Sequence, residues 1–172
     1  MNDYTIRLYW ELSDKELGEI YATAQAERVL DIVAYDCQVD LERFLLFARR
    51  VEVFGAVMDG DKTMGFFYLT SFEGSTARVH FCLFEAGREY REEAGRAVLD
   101  WCFKSFEYGR LVSLIGIVPA INQGVIKYAR EMGGQEMGTI PGFCWIERLK
   151  RSVGGVQFIF TKGEYHGRHV QN

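Results

Sequence analysis

The sequence predicts an α/β (α+β) fold, a mixed central sheet of about seven strands flanked by about four helices. Three observations carry this. The hydrophobic period switches between helical and strand spacing several times along the chain. Asp59-Gly60 lies between two apolar runs, a hairpin signal because both residues tolerate positive φ. Leu111 to Val118 is an almost continuous apolar run, as expected of a strand covered on both faces. At 172 residues and 48% hydrophobic, with two prolines, the chain is expected to form one domain over 1–172. That composition excludes disordered, collagen-like and coiled-coil classes.

Each element has its own signal. Tyr4 to Trp10 is rich in β-branched and aromatic residues and predicts a strand. Ser13 and Glu16 match a capping box, and Leu17, Ile20, Tyr21, Ala24, Arg28 and Ile32 then predict a helix running to about Tyr35. Asp40 to Arg50 predicts a second helix with Leu41, Phe44, Leu45 and Ala48 on one side. Val51 to Met58, Met64 to Thr70 and Thr76 to Phe84 predict an antiparallel meander, with turns at Asp59-Gly60-Asp61-Lys62 and Glu73-Gly74-Ser75. Tyr90, Ala94, Ala97, Val98, Trp101 and Phe106 predict a third helix ending at Gly109. After the apolar strand, Pro119 to Asn122 starts a fourth helix that reaches Met132 and stops at Gly133-Gly134. Two last strands are predicted near Phe143 to Arg148 and Val156 to Thr161, followed by a polar tail, 163–172, expected to fray.

Charge narrows the range of partners. The net charge of −4 argues against binding driven by nucleic-acid phosphates. The first sixty residues hold twelve Asp/Glu against six Lys/Arg, so the acidity is concentrated in the front of the chain. Cys37, Cys82, Cys102 and Cys144 form no closely spaced pair, so no metal site is expected. No signal peptide and no apolar run of about 20 residues is visible. The expectation is a cytoplasmic protein, away from membranes, with reduced and mostly buried thiols.

The order β, α, α, β, β, β, α, β, α, β, β resembles the GNAT superfamily of acyl-CoA-dependent N-acyltransferases over nearly the whole chain. The resemblance is strongest from Met64 to Gly134. Gly65-Phe-Phe-Tyr-Leu looks like that family's third strand and Val79 to Phe84 like its fourth, and Asn122 stands eleven positions before Gly133. It implies transfer of an acetyl group from acetyl-CoA to a primary amine of a small-molecule or protein acceptor. The alternative is a non-catalytic binding or assembly protein on the same fold, such as a phage-related one.

The resemblance also implies site residues. Backbone near Phe81, Cys82 and Leu83 would pair with the acyl-pantetheine arm. The family's Gly-rich turn, which presents backbone N–H groups to the pyrophosphate, is degenerate here. One register puts Ala86, Glu89 and Arg91 at its signature positions, and a later one puts Glu92, Gly95 and Ala97 there. Gly87 would supply the tight turn and Arg88 a compensating charge. Gly95 is either a phosphate contact or a close-packing site. Asn122 is a cofactor contact, a helix cap, or both. The family's frequent tyrosine acid falls on Ala129, with Tyr128 beside it but turned about 100° away on a helix. For the base that frees the amine, His80 and Glu85 are the candidates, and Glu73 is a third.

Overall fold

The computed structural model describes residues 4–105 and 111–163. Phe106, Gly109, the side chain of Ile32 and the tail beyond Gly163 lie outside the described residues. The elements follow the expected order, except that the first predicted helix is split in two: β1 (Thr5–Leu8), α1 (Asp14–Ala26), α2 (Leu30–Val33), α3 (Leu41–Arg50), β2 (Val53–Asp59), β3 (Lys62–Glu73), β4 (Thr76–Leu83), α4 (Arg91–Asp100), β5 (Ser113–Pro119), α5 (Gln123–Glu131), β6 (Gln135–Ile146) and β7 (Arg151–Thr161). The strands form one mixed sheet in the order β1-β2-β3-β4-β5-β7-β6.

Ser13 caps α1 through the reciprocal bonds of a capping box, and the Asp40 side chain accepts from the Arg43 N–H at the start of α3. The first helix is shorter than its sequence period predicts. It ends at Ala26, Arg28 takes a left-handed φ of 59°, and the short α2 follows. The break turns the chain so that Val29 reaches the core, and the Tyr68 hydroxyl on β3 donates to the Val33 carbonyl at 3.0 Å. A straight helix to Tyr35 would carry both groups past the sheet.

The last two strands also differ from expectation. β6 begins at Gln135 and β7 at Arg151, while Arg148 lies in a 3-10 turn between them. Gly138, Pro141 and Gly142 look like strand breakers, but the β6–β7 register slips between Glu136 and Gly138 and between Ile140 and Cys144, which accommodates them. Gly155 is small because a side chain there would press on Ile117, Phe143 and Cys144.

Helices cover both faces. On one, α1 and α3 set Leu17, Ile20 and Phe44 against Phe54 and Phe66 of the sheet. Phe54 and Phe66 stack at 5.5 Å and Phe44 meets each edge-on, arrangements that add to simple area burial. On the other, α4 buries Ala94, Val98 and Leu99 against Val57, Phe67 and Leu114, and α5 buries Ile126 and Ala129 against Val118 and Phe158. Cys82, Cys102 and Cys144 are buried free thiols; Cys37 is exposed. Among the described residues no helix is long and apolar enough to cross a membrane, and no cluster of ligating side chains is grouped to hold a metal.

Two glycines test this packing in opposite directions. A Cβ at Gly65 would collide with the Cys82 backbone carbonyl on β4, whereas Gly18, inside α1, has nothing within 4 Å of that position. Gly65→Ala should therefore cost about 1–3 kcal/mol by overpacking, and Gly18→Ala should stabilise by about 0.5–1 kcal/mol by helix propensity. Urea denaturation of both variants checks the two signs.

Candidate active site between the diverging strands

β4 and β5 run parallel but pair only from Thr76 to Arg78 against Ser113 to Ile115. Beyond Arg78 they separate, and β5 turns to its antiparallel neighbour β7 along its whole length. Thr76 and Ser113 share a hydroxyl hydrogen bond of 2.7 Å where the two strands are still joined.

The opening is filled by a cavity of about 870 Å³, counting the part continuous with solvent. β4 contributes Val79, His80 and Phe81, and β5 contributes Gly116 to Pro119. Asn122, Val125, Tyr128, Ala129 and Met132 line it from α5 and its flanks, and Gly95 and Val98 from α4. Val33 and Tyr35 close it on the other face of the sheet. The lining is chiefly aliphatic and aromatic, with few polar groups aimed inward, as ligand sites commonly are.

His80 stands opposite Tyr68 across the β3–β4 pair, and the two rings stack at 4.3 Å and 10°. Burial pushes the imidazole down to about 4, and the positive charge of Arg78 adds to that against the weaker pull of Asp36. The ring is therefore neutral at physiological pH. Tyr35 places its hydroxyl near the Cys144 thiol at 3.7 Å, and burial holds that phenol protonated.

Tyr128 reaches from α5 to α4. Its hydroxyl donates to the Arg91 carbonyl at 2.7 Å, and its ring stacks on Phe81 at 6.2 Å. Burial raises its pKa above the usual phenol value. Gly95 leaves the space the hydroxyl occupies, since a Cβ there would collide with it. Arg91 also pairs with Glu131 of α5 at 3.1 Å, so α4 and α5 are tied at two points.

Asn122 is the N-cap residue of α5, yet its side chain makes no capping bond. Its backbone makes the turn, donating to Pro119 O and accepting from Ile126 N. The side chain is thus left to the cavity that it lines.

Of the residues singled out in the sequence, His80, Phe81, Gly95, Asn122 and Tyr128 meet at the cavity. The others lie around it. Cys82 is buried in the core under α1 and α3, and Leu83 packs in the cluster under α4. Gly87 is buried in a 3-10 turn, where a side chain would press on the Met64 carbonyl. Glu85 and Arg88 are exposed on that turn, and the Glu85 N–H donates to Glu27 at 2.5 Å. Glu73 ends β3 at the turn into β4, seven residues before His80. Sequence reasoning missed Val33 and Tyr35, hidden in a stretch that looks like continuing helix, and Phe158 and Phe160 of β7. The alternation of Val156, Phe158 and Phe160 was the available signal for the last pair.

A seven-stranded mixed sheet whose fourth and fifth strands part around a cavity, with helices on both faces, is the fold of the GNAT acyl-CoA-dependent N-acyltransferases. The chain is similar to spermidine N-acetyltransferase from Vibrio cholerae in its complex with CoA and spermine, with a TM-score of 0.78 and 15% identity over 96% of this chain and 99% of that one. A probable GNAT-family acetyltransferase from Chromobacterium violaceum gives 0.71 and 17% identity over 95% and 90% of the two chains. Ribosomal-protein-S5-alanine acetyltransferase from Vibrio fischeri gives 0.71 and 14% identity over 96% of each. No protein-family model matches the chain, and no curated protein matches it in sequence. At these identities the likeness is one of fold.

His80 supplies a direct test of the site's electrostatics. Between its ordinary value of 6.5 and about 4, the unfolded chain binds a proton at this imidazole that the folded chain refuses. Stability should therefore fall as pH drops through that window. From pH 7 to 4.5 the parent protein should lose about 2 kcal/mol more than His80→Gln in chemical denaturation. Equal losses would mean that the folded protein protonates His80 normally.

Proposed function

We propose that the protein is an N-acetyltransferase that moves an acetyl group from acetyl-CoA to a primary amine. The observation that carries this reading is the parting of β4 and β5 around a cavity that opens on Asn122 and Tyr128 from one face and on His80 from the other. A protein using the fold only for assembly has no need of that void and gains by filling it.

The residues present fit one end of acetyl-CoA better than the other. From Val79 onward the edge of β4 that faces β5 is released from the β5 ladder, so its backbone groups are open to the amides of the pantetheine arm. The Asn122 amide, free of capping duty, is a second polar contact. The pyrophosphate end is poorer. α4 begins at Arg91, which favours the register of Ala86, Glu89 and Arg91, with Gly95 a full turn inside the helix under Tyr128. Glu89, Glu92 and Glu93 are all exposed at this helix start. A carboxylate about 4 Å from a phosphate oxygen opposes binding by up to about 4 kcal/mol at surface-like dielectric before salt screening. Arg88 offsets part of that charge.

Bound there, acetyl-CoA supplies its acetyl as a thioester, whose C–S bond breaks as the new C–N bond forms. The amine attacks only when neutral, and it loses its proton to solvent at the open mouth. His80, uncharged and fixed against Tyr68, orients the amine and is too weak a base to hold its proton at neutral pH. Tyr128 gives its proton to the departing sulfur, turning its hydroxyl away from the Arg91 carbonyl to do so, and is reprotonated through solvent by the proton that the new amide nitrogen releases.

Calorimetric titration with acetyl-CoA and thiol release with a panel of amines test the reading; absence of both binding and turnover would overturn it. Affinity is expected to be weak, and Glu89→Gly should improve it. Asn122→Ala should weaken acetyl-CoA binding at least fivefold with an unchanged melting temperature, because no cap is lost. Tyr128→Phe should lower kcat at least tenfold with little change in KM.

A further inference from the structure

Next to His80 and Tyr35, which line the cavity on the α1–α3 face, stands a charge that the chemistry above does not use. Arg78 is the last residue of β4 still paired with β5, so it stands where the two strands begin to part. Its side chain shares a sheet face with that of His80, two residues on and about 7 Å along the strand. Arg78 is half-buried, and among the described residues it forms no ion pair and no side-chain hydrogen bond. Its guanidinium carbon lies over the Phe143 ring, 5.9 Å from the centroid, a contact that uses none of its N–H donors.

We infer that Arg78 selects the acceptor by taking its carboxylate, so that the acceptor is an amino-acid-like molecule bearing both an amine and a carboxylate and not a polyamine. The inference rests on the acetyltransferase reading. The planar fork matches a carboxylate with two parallel hydrogen bonds, and an unpaired guanidinium two residues from His80 on the same strand face is free to make them. Phe143 and Ile117 both approach Gly155 beside it, an apolar shelf for the body of such a ligand. The charges around His80 point the same way. His80 is neutral, and Asp36, exposed on the loop after Tyr35, forms no ion pair with Arg78. Opposite charges thus both act on the His80 side of the cavity without pairing with each other, an arrangement suited to a zwitterion. At His80 the field of Arg78 outweighs that of Asp36, and it repels an acceptor that is cationic throughout.

Matched acceptors test this: phenylalanine against phenethylamine, leucine against isoamylamine, and spermidine, each assayed for acetyl transfer and titrated calorimetrically against the full chain. The parent protein should prefer the carboxylate-bearing member of each pair at least tenfold in kcat/KM and turn over spermidine least. Arg78→Gln and Arg78→Lys should both lower that preference at least tenfold, the lysine variant because it keeps the charge and loses the fork, whereas Arg50→Gln at the end of α3 should leave it unchanged. Equal use of both members, or a preference that survives Arg78→Gln, would overturn the inference. If no amine is acetylated, the enzymatic reading fails, and calorimetry still decides the role of Arg78: phenylalanine binding lost in Arg78→Gln supports the carboxylate site, and no binding to the parent protein overturns it.

Discussion

Three residue pairs hold β4 to β5, and the site exists because there are only three. A parallel ladder needs both strands to keep one twist, and each strand here is committed elsewhere. β4 is paired with β3 along nearly its whole length, while β5 is paired with β7 through Pro119. The Thr76–Ser113 hydroxyl bond and the Val112 N–H to Ser75 carbonyl bond fasten the end where the strands meet. Past Arg78 each strand follows its other neighbour, and right-handed sheet twist carries them apart. Backbone that would be buried and satisfied in a continuous sheet is thereby opened to the cavity.

The helices on the α4–α5 side make that gap a cavity and not a slot. α5 follows β5 and α4 precedes it, so the parting strands carry the two helices to opposite sides of the opening. Tyr128 spans the distance, and the missing side chain of Gly95 lets it reach the Arg91 carbonyl. On the other face, the short α2 and the loop after it bring Val33 and Tyr35 over His80, which the left-handed turn at Arg28 makes possible.

Much of the fold was legible because its signals are local. The capping box at Ser13 and Glu16, the Asp59-Gly60 turn and the apolar β5 each determine their own stretch of chain. The departures arise where long-range contacts outweigh local pattern. Arg28 interrupts an otherwise acceptable helix to satisfy packing at Val29 and the Tyr68–Val33 bond, and β6 absorbs Gly138, Pro141 and Gly142 by slipping register against β7. At the site, position in the element order located Phe81 and Asn122. The side chains alone could not place Tyr35, nor tell that the Asn122 amide leaves its helix uncapped. Whether Tyr128 points to α4 depends on helix rotation, which the sequence period does not fix to better than one residue.

The irregularity of β6 has a consequence for how the molecule behaves in company. This twelve-residue strand lies at the open end of the sheet with Met137, Ile140, Phe143 and Trp145 largely exposed. A flat strand of that length and character is a template on which other chains extend a sheet, the first step toward insoluble aggregates. Pro141 has no N–H to offer such a guest, Gly142 turns left-handed at φ 64°, and the stretch from Pro141 to Phe143 is out of register with β7. The same residues that obscure the strand in the sequence blunt its edge, so the chain keeps aromatic surface beside the cavity mouth without presenting a straight ladder for another copy to continue.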